Sequence, residues 1–272
     1  MVKQATTFLN NGIEMPLLGL GVYDMYHQEA ENAVGNALEI GYRLIDTAAM
    51  YENEVEIGNA IRNSAVPRKD IFLTTKVAND GHGYDNALRA FEVSSQKLNA
   101  DYIDLYLVHW PLKNLRKDTW KAFERLYEEK RVRAIGVANY LLPFLHELAE
   151  YATVIPTVNQ VEFTPYLFSE ELLQACQKRN IILQAYSPLV RGKRFDDKKL
   201  IEIAEKYEKT PAQIILRWAI QLGVSTIPKS VKIERLKENF DVFDFQLSEQ
   251  DMAKLCTFNE NFRICENPLD ML

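Results

Sequence analysis

Four side chains able to handle a proton stand at comparable places along the chain. Asp46 ends the apolar run Arg43-Leu44-Ile45-Asp46, and Tyr51 follows five residues later. Lys76 ends Leu73-Thr74-Thr75-Lys76, and His109 ends Leu107-Val108-His109, just before Trp110-Pro111. A tyrosine is a poor acid near neutrality, with a free pKa of about 10. A neighbouring ammonium stabilises the tyrosinate and lowers that value. Lys76 suits this part, with Asp46 to hold and compensate it. A neutral imidazole at His109 can donate one ring N–H to a substrate oxygen and orient it. Each residue alone has a plainer explanation: a surface Asp, a packed Tyr, a core His bonded to backbone. All four at equivalent strand ends are hard to explain as packing, because burying Asp and Lys is costly unless they are paired.

The surrounding elements must bring these ends together. Thr6 to Leu9 and Ile13 to Met15 read as a small hairpin about Asn10-Asn11-Gly12, since Asn-Gly readily supplies the turn. Strands are expected at Leu17–Leu20, Arg43–Asp46, Ile71–Lys76, Tyr102–His109, Val132–Ala138, Thr157–Glu162, Ile181–Tyr186 and Ser225–Ile227. Helical periodicity follows each: Gln28–Ile40, Glu54–Arg62, Asp85–Leu98, Thr119–Glu129, a helix through Leu148, Glu170–Lys178, the pair Asp197–Tyr207 and Pro211–Leu222, and Lys232–Phe240. A last helix lies near Ser248–Thr257. Asn53 and Glu56 form a capping-box pattern at the start of the second helix, and Thr210-Pro211 is a good N-cap and first-turn pair. The strands are apolar on both sides, as expected when helices or a barrel interior cover both faces.

Eight strand-helix units in about 250 residues match one (β/α)8 barrel, here with an N-terminal hairpin and extra C-terminal helices. Short connections leave no obvious linker, so residues 1–272 read as a single domain. A doubly wound open sheet is the main rival, but Gly19-Leu20-Gly21 lacks the third glycine of a dinucleotide fingerprint. The barrel demands active residues at the C-terminal ends of strands, where the four proton-handling groups fall.

Composition narrows the function. With 47% hydrophobic and 26% charged residues the chain resembles an ordinary soluble protein. Its net charge of -6 gives no reason to expect a nucleic-acid partner. Cys176, Cys256 and Cys265 lack ligand-like spacing and read as reduced thiols in the cytoplasm. Met1 to Asn11 has no apolar core of signal-peptide length, and no run approaches a membrane span. The four histidines form no metal-ligand motif, which argues against a metal hydrolase.

Seven segments taken in order carry a resemblance to one family: Gly41-Tyr42-Arg43-Leu44-Ile45-Asp46-Thr47-Ala48, Tyr51-Glu52-Asn53-Glu54, Thr75-Lys76, Leu107-Val108-His109-Trp110-Pro111, Ile135-Gly136-Val137-Ala138-Asn139, Gln184-Ala185-Tyr186-Ser187-Pro188-Leu189 and Ile227-Pro228-Lys229-Ser230. The chain resembles the aldo-keto reductases over nearly its whole length, and its compact loops are similar to those of the short microbial members. The resemblance implies NADPH-dependent reduction of aldehydes or ketones, with Tyr51 as proton donor and Asp46, Lys76 and His109 in support. It implies a monomer acting on a small-molecule carbonyl. A cofactor-binding sensor or regulatory subunit with incidental turnover is the alternative, and the intact set of four argues for the enzyme.

The resemblance also implies a cofactor site. Asn139, at the end of the fifth strand, and Gln160, at the end of the sixth, have amides able to pair with the nicotinamide carboxamide, and Tyr186, at the end of the seventh, offers a ring face for stacking. Ser187 and Leu189 join them. Lys229 and Ser230 precede a helix N-terminus, a favourable place for phosphate. Arg235, Glu238 and Asn239 lie on that helix as an adenosine and 2′-phosphate site; by spacing alone they would be a solvated face. Two departures stand out. Ala138 occupies a position where the family usually carries serine, removing one hydrogen bond to the carboxamide. Ala78 stands where many relatives have tryptophan, so the substrate pocket bounded by Tyr23, Ala78 and Trp110 is expected to be wider there, unless a loop residue such as Phe262 fills the gap.

Overall fold

The computed structural model describes residues 4–271. Met1 to Lys3, part of the N-terminal stretch considered above, and Leu272 lie outside them. The hairpin forms as expected: β1 (Thr6–Phe8) pairs antiparallel with β2 (Glu14–Pro16). Gly12 takes φ +83° in the turn, a conformation open to glycine at little cost.

Eight parallel strands follow: β3 (Leu20–Gly21), β4 (Leu44–Asp46), β5 (Phe72–Val77), β6 (Ile103–Val108), β7 (Val132–Ala138), β8 (Val158–Glu162), β9 (Ile182–Tyr186) and β10 (Ser225–Thr226). They neighbour one another in chain order. The sheet closes on itself, because Gly19 N–H donates to Thr226 O (2.8 Å) and Thr226 N–H to Leu17 O (2.8 Å). The seam is tight: a Cβ on Gly21 would sit 2.7 Å from Ile227 O. The first strand is thus shorter than expected, Leu17 to Gly19 being spent on closure.

The helices are α1 (His27–Ile40), α2 (Glu54–Asn63), α3 (Tyr84–Leu98), α4 (Arg116–Glu128), α5 (Leu142–Tyr151), α6 (Glu170–Gln177), α7 (Lys198–Lys206), α8 (Pro211–Gln221), α9 (Ile233–Phe240) and α10 (Glu249–Cys256). The Thr210 capping box on α8 forms. The one expected from Asn53 and Glu56 does not. Asn53 instead donates to Val22 O (2.8 Å) and Met25 O (2.9 Å) and accepts from Thr47 Oγ1 (2.7 Å). Three buried hydrogen bonds outweigh one local cap, and the two to Val22 and Met25 fasten the Tyr51 loop to the segment after β3.

Two cores result. One lies between strands and helices. The other fills the barrel interior with Leu44, Phe72, Leu105, Leu107, Val158 and Ile227 and is stoppered by Leu9 and Met15 of the hairpin. Beyond this plugged interior, the four proton-handling side chains of the sequence analysis lie towards the strands' C-terminal rim. A groove of about 820 Å³ does open at the other end, beside Arg43, Asp70 and Asp104, but none of the expected site residues lines it.

Candidate active site

The four proton-handling residues meet on the C-terminal rim. Lys76, in β5, is fully buried, and Asp46, ending β4, nearly so. Lys76 Nζ lies 2.5 Å from Asp46 Oδ1, 2.8 Å from Thr47 O and 3.4 Å from the Tyr51 hydroxyl. Tyr51 sits in a short 3-10 turn, Ala49–Tyr51. An ammonium has three donors and no acceptor. The Tyr51 oxygen therefore accepts from Lys76, and the phenol's own proton is left to point elsewhere. His109 follows β6, with its ring edge-on to Tyr51 at 5.7 Å between centroids.

Electrostatics sort these groups. Burial raises the Asp46 carboxyl and lowers the Lys76 ammonium relative to their ordinary values, and their mutual attraction opposes both shifts. His109 is held well below the usual imidazole value, first by burial and then by the charges of Lys76 and His82, so its ring is neutral near pH 7. Tyr51 corrects the sequence expectation. Its hydroxyl is pushed up, first by burial and next by Asp46, rather than lowered by Lys76. The Asp46 carboxylate, 2.5 Å from the ammonium, opposes the cation's pull on the phenol. Tyr51 accordingly keeps its proton until an acceptor arrives, which suits a donor.

The amides lie on the far side of the same rim. Asn139 adopts φ +65°, a left-handed conformation that asparagine tolerates better than most residues. Its Nδ2 donates to His109 O (2.9 Å) and its Oδ1 accepts from the Tyr186 hydroxyl (2.8 Å). One Asn139 N–H therefore stays available, and Tyr186 is held by its hydroxyl with its ring half-buried. Gln160 lies two residues before the end of β8 rather than at its end. Its Nε2 donates to Asp46 Oδ2 (2.6 Å) and to Gln184 Oε1 (2.7 Å). Both N–H groups are used, and its Oε1 remains to accept. One spare donor and one spare acceptor are what a carboxamide needs. Ala138 packs in the apolar interior and offers nothing further.

The expected phosphate-side residues cluster less tightly. Lys229 Nζ, exposed, reaches Asp24 O (2.9 Å) and lies 3.6 Å from Asp24 Oδ2. Ser230 Oγ accepts from Lys232 N–H (3.3 Å) just before α9. On α9, Arg235 is exposed, Asn239 is buried, and Glu238 accepts from Thr210 Oγ1 (2.6 Å), which ties it to the start of α8. Ser187, φ +46°, is half-buried with its Oγ 4.0 Å from Cys265 Sγ, and Leu189 is half-buried two residues on.

Around these four residues, Tyr23 is 53% exposed and packs edge-on against Tyr51 at 5.2 Å. Trp110 stacks beside His109 at 6.4 Å, and Ala78 is half-buried just past β5. Phe262 lies under the Arg194 guanidinium, 3.7 Å from its ring centre, with its N–H on Tyr166 O. Sequence reasoning missed Glu162, the last residue of β8. Its oxygens accept the N–H groups of Ile264 (2.6 Å) and Cys265 (3.1 Å), pinning the C-terminal tail beside the rim. A carboxylate closing the strand Val158–Glu162 was the available signal.

Comparison with known proteins fits this geometry. The chain matches the Aldo/keto reductase family over residues 18–260. It is 48% identical over 268 residues to the glyoxal reductase of Bacillus subtilis, covering 98% of this chain and 97% of that one. Its structure superposes on an aldo-keto reductase from a Medee basin deep-sea metagenome library with TM-score 0.94, at 45% identity, covering 96% and 97% of the two chains. A Bombyx mori aldo-keto reductase in complex with NADP superposes with TM-score 0.91, at 35% identity and 98% and 96% coverage. With a closed barrel, a rim carrying Asp46, Tyr51, Lys76 and His109, and relatives matched end to end, the chain belongs to the aldo/keto reductase family.

Proposed function

We propose that the chain reduces aldehydes and ketones to alcohols with NADPH, and that Tyr51 delivers the proton. The observation that carries this reading is the direction of the hydrogen bonds at Tyr51. Lys76 donates to the phenol oxygen, so the phenol proton is free for a substrate oxygen. When bound, the cofactor supplies the hydride. The chain's own residues do the rest. His109, neutral, offers a ring N–H to the substrate oxygen and orients it. As Tyr51 gives up its proton, Lys76 steadies the tyrosinate, and Asp46 keeps the ammonium in place.

The residues fit the cofactor. The spare N–H of Asn139 and the spare oxygen of Gln160 suit a carboxamide, and the Tyr186 ring suits the pyridine face. Lys229, Ser230, Arg235, Glu238 and Asn239 are assigned to the phosphates and adenosine, with Ser187 and Leu189 between the two ends. Tyr23, Ala78 and Trp110 bound the substrate, and small aldehydes such as glyoxal are the first to try, given the named activity of the Bacillus relative. Among the described residues no helix is long and apolar enough to cross a membrane. The enzyme is assigned to the cytoplasm as a single-domain monomer, since Cys176, Cys256 and Cys265 are free and one chain contributes every catalytic group.

The test is Tyr51→Phe, which keeps the ring and removes the hydroxyl. NADPH affinity should hold while turnover of glyoxal and larger carbonyls drops by about 10²-fold or more, the scale of a general acid. Near wild-type turnover would reject Tyr51 as the donor.

A further inference from the structure

Behind Gln160 runs a row of polar side chains inside the barrel that the catalytic cycle does not use. Gln160, Gln184 and Ser225 stand opposite one another in the registers of β8, β9 and β10. All three are buried. We propose that Gln184 and Ser225 are positioning residues that fix the amide of Gln160, so that its carbonyl oxygen faces the nicotinamide carboxamide. The inference rests on the assignment of Gln160 to the carboxamide.

The argument is one of polarity. Pro16 O, at the end of the hairpin, is a backbone carbonyl and can only accept. Ser225 Oγ donates its single proton to it (3.3 Å). The Ser225 oxygen must then accept from its other neighbour, and Gln184 Nε2 donates to it (3.1 Å). With its nitrogen so directed, Gln184 turns its Oε1 to β8, where it accepts from Gln160 Nε2 (2.7 Å). From the other side Asp46, an ionised partner of Lys76, also can only accept, and it takes the second Gln160 N–H (2.6 Å). Every step follows from donor and acceptor capacity. A flipped Gln160 would set its oxygen against both the Asp46 carboxylate and the Gln184 carbonyl. Gln160 is therefore restrained from two sides with its oxygen outward, and that pre-set acceptor favours the amino group of a carboxamide. Preorganisation of this kind lowers the ordering cost of binding.

The test compares NADP+ with its 3-acetylpyridine analogue, which keeps a ring carbonyl but has no amide NH2. Dissociation constants are measured by calorimetry for wild type, Gln184→Met and Ser225→Ala, with melting curves for each. Gln184→Met keeps the length and loses the polar row. It should weaken NADP+ binding by roughly fivefold to tenfold, the worth of about one net hydrogen bond, and leave the analogue within about twofold. Ser225→Ala should show the same pattern to a smaller degree, and it carries the test alone if Gln184→Met does not fold. Equal losses for both ligands, or no loss for either, would overturn the proposal. A wild type that binds the two ligands equally would overturn the carboxamide assignment beneath it, and one that binds neither would overturn the cofactor site.

Discussion

Lys76 and Asp46 make the sharpest energetic claim of this fold. Their side chains are 0% and 2% exposed, with nitrogen and oxygen 2.5 Å apart. Lys76→Met removes the ammonium and leaves a carboxylate whose remaining partner is one Gln160 N–H. Breaking a buried pair from one side costs about 3–5 kcal/mol, whereas replacing both partners by neutral groups is often close to neutral. Lys76→Met and Asp46→Asn should therefore each lose about 3–5 kcal/mol in urea unfolding at pH 7. The double variant should recover at least about 2 kcal/mol relative to their sum. Acid reports the same physics. In Lys76→Met the buried Asp46 carboxyl is raised by burial with no cation to oppose it. The folded state then takes up a proton at a higher pH than the unfolded state, so acidification stabilises this variant relative to wild type. Its deficit should shrink between pH 7 and 5. Single variants that cost less than about 1 kcal/mol, or a strictly additive double, would refute the account. All three variants should lose carbonyl reduction, since each removes part of the support beneath Tyr51.

Two further outcomes test the edges of the site. Arg235 is exposed on α9 and free to meet a phosphate through forked, charge-assisted hydrogen bonds; Arg235→Ala should weaken NADPH binding strongly and NADH binding little, with Lys232 as a second contact that blunts the loss, and equal wild-type affinities for the two cofactors would count against the role. Ala78→Trp should lower kcat/KM for bulky aromatic or cyclic ketones by about tenfold relative to short aldehydes, because a large apolar group fully buried is worth roughly 1.5–3 kcal/mol; an unchanged ratio in a folded variant would remove Ala78 from the pocket wall.

The candidate site was legible in the sequence because a barrel gathers strand ends on one rim. A polar residue closing an apolar run is a local pattern, and Asp46, Lys76 and His109 each show it. The barrel itself was legible from eight alternating units. Other features depended on partners far away in the chain. Asn53 looked like a helix cap, but its amide is claimed by Val22 and Met25, about thirty residues earlier. The direction of the Tyr51 shift depended first on how deeply the phenol is buried and then on the nearness of Asp46, neither of which spacing encodes. Gln160 was placed at a strand end, yet it sits deeper, where Gln184 can reach it. The amide in Ile182-Leu183-Gln184-Ala185 was visible as an oddity in an apolar strand, but its partners Gln160 and Ser225 emerge only from register.

The grip of Glu162 on the tail has an evolutionary consequence. The carboxylate holds the main-chain N–H groups of residues 264 and 265, which nearly any side chain there would leave intact; only proline lacks the hydrogen. Attachment and identity are thereby separated at this border of the rim. Mutation can exchange the Ile264 and Cys265 side chains, changing what borders Ser187 and Tyr51, while the anchor survives. A lineage under pressure to accept new carbonyls could edit these letters one at a time, and each intermediate would still carry a fastened tail.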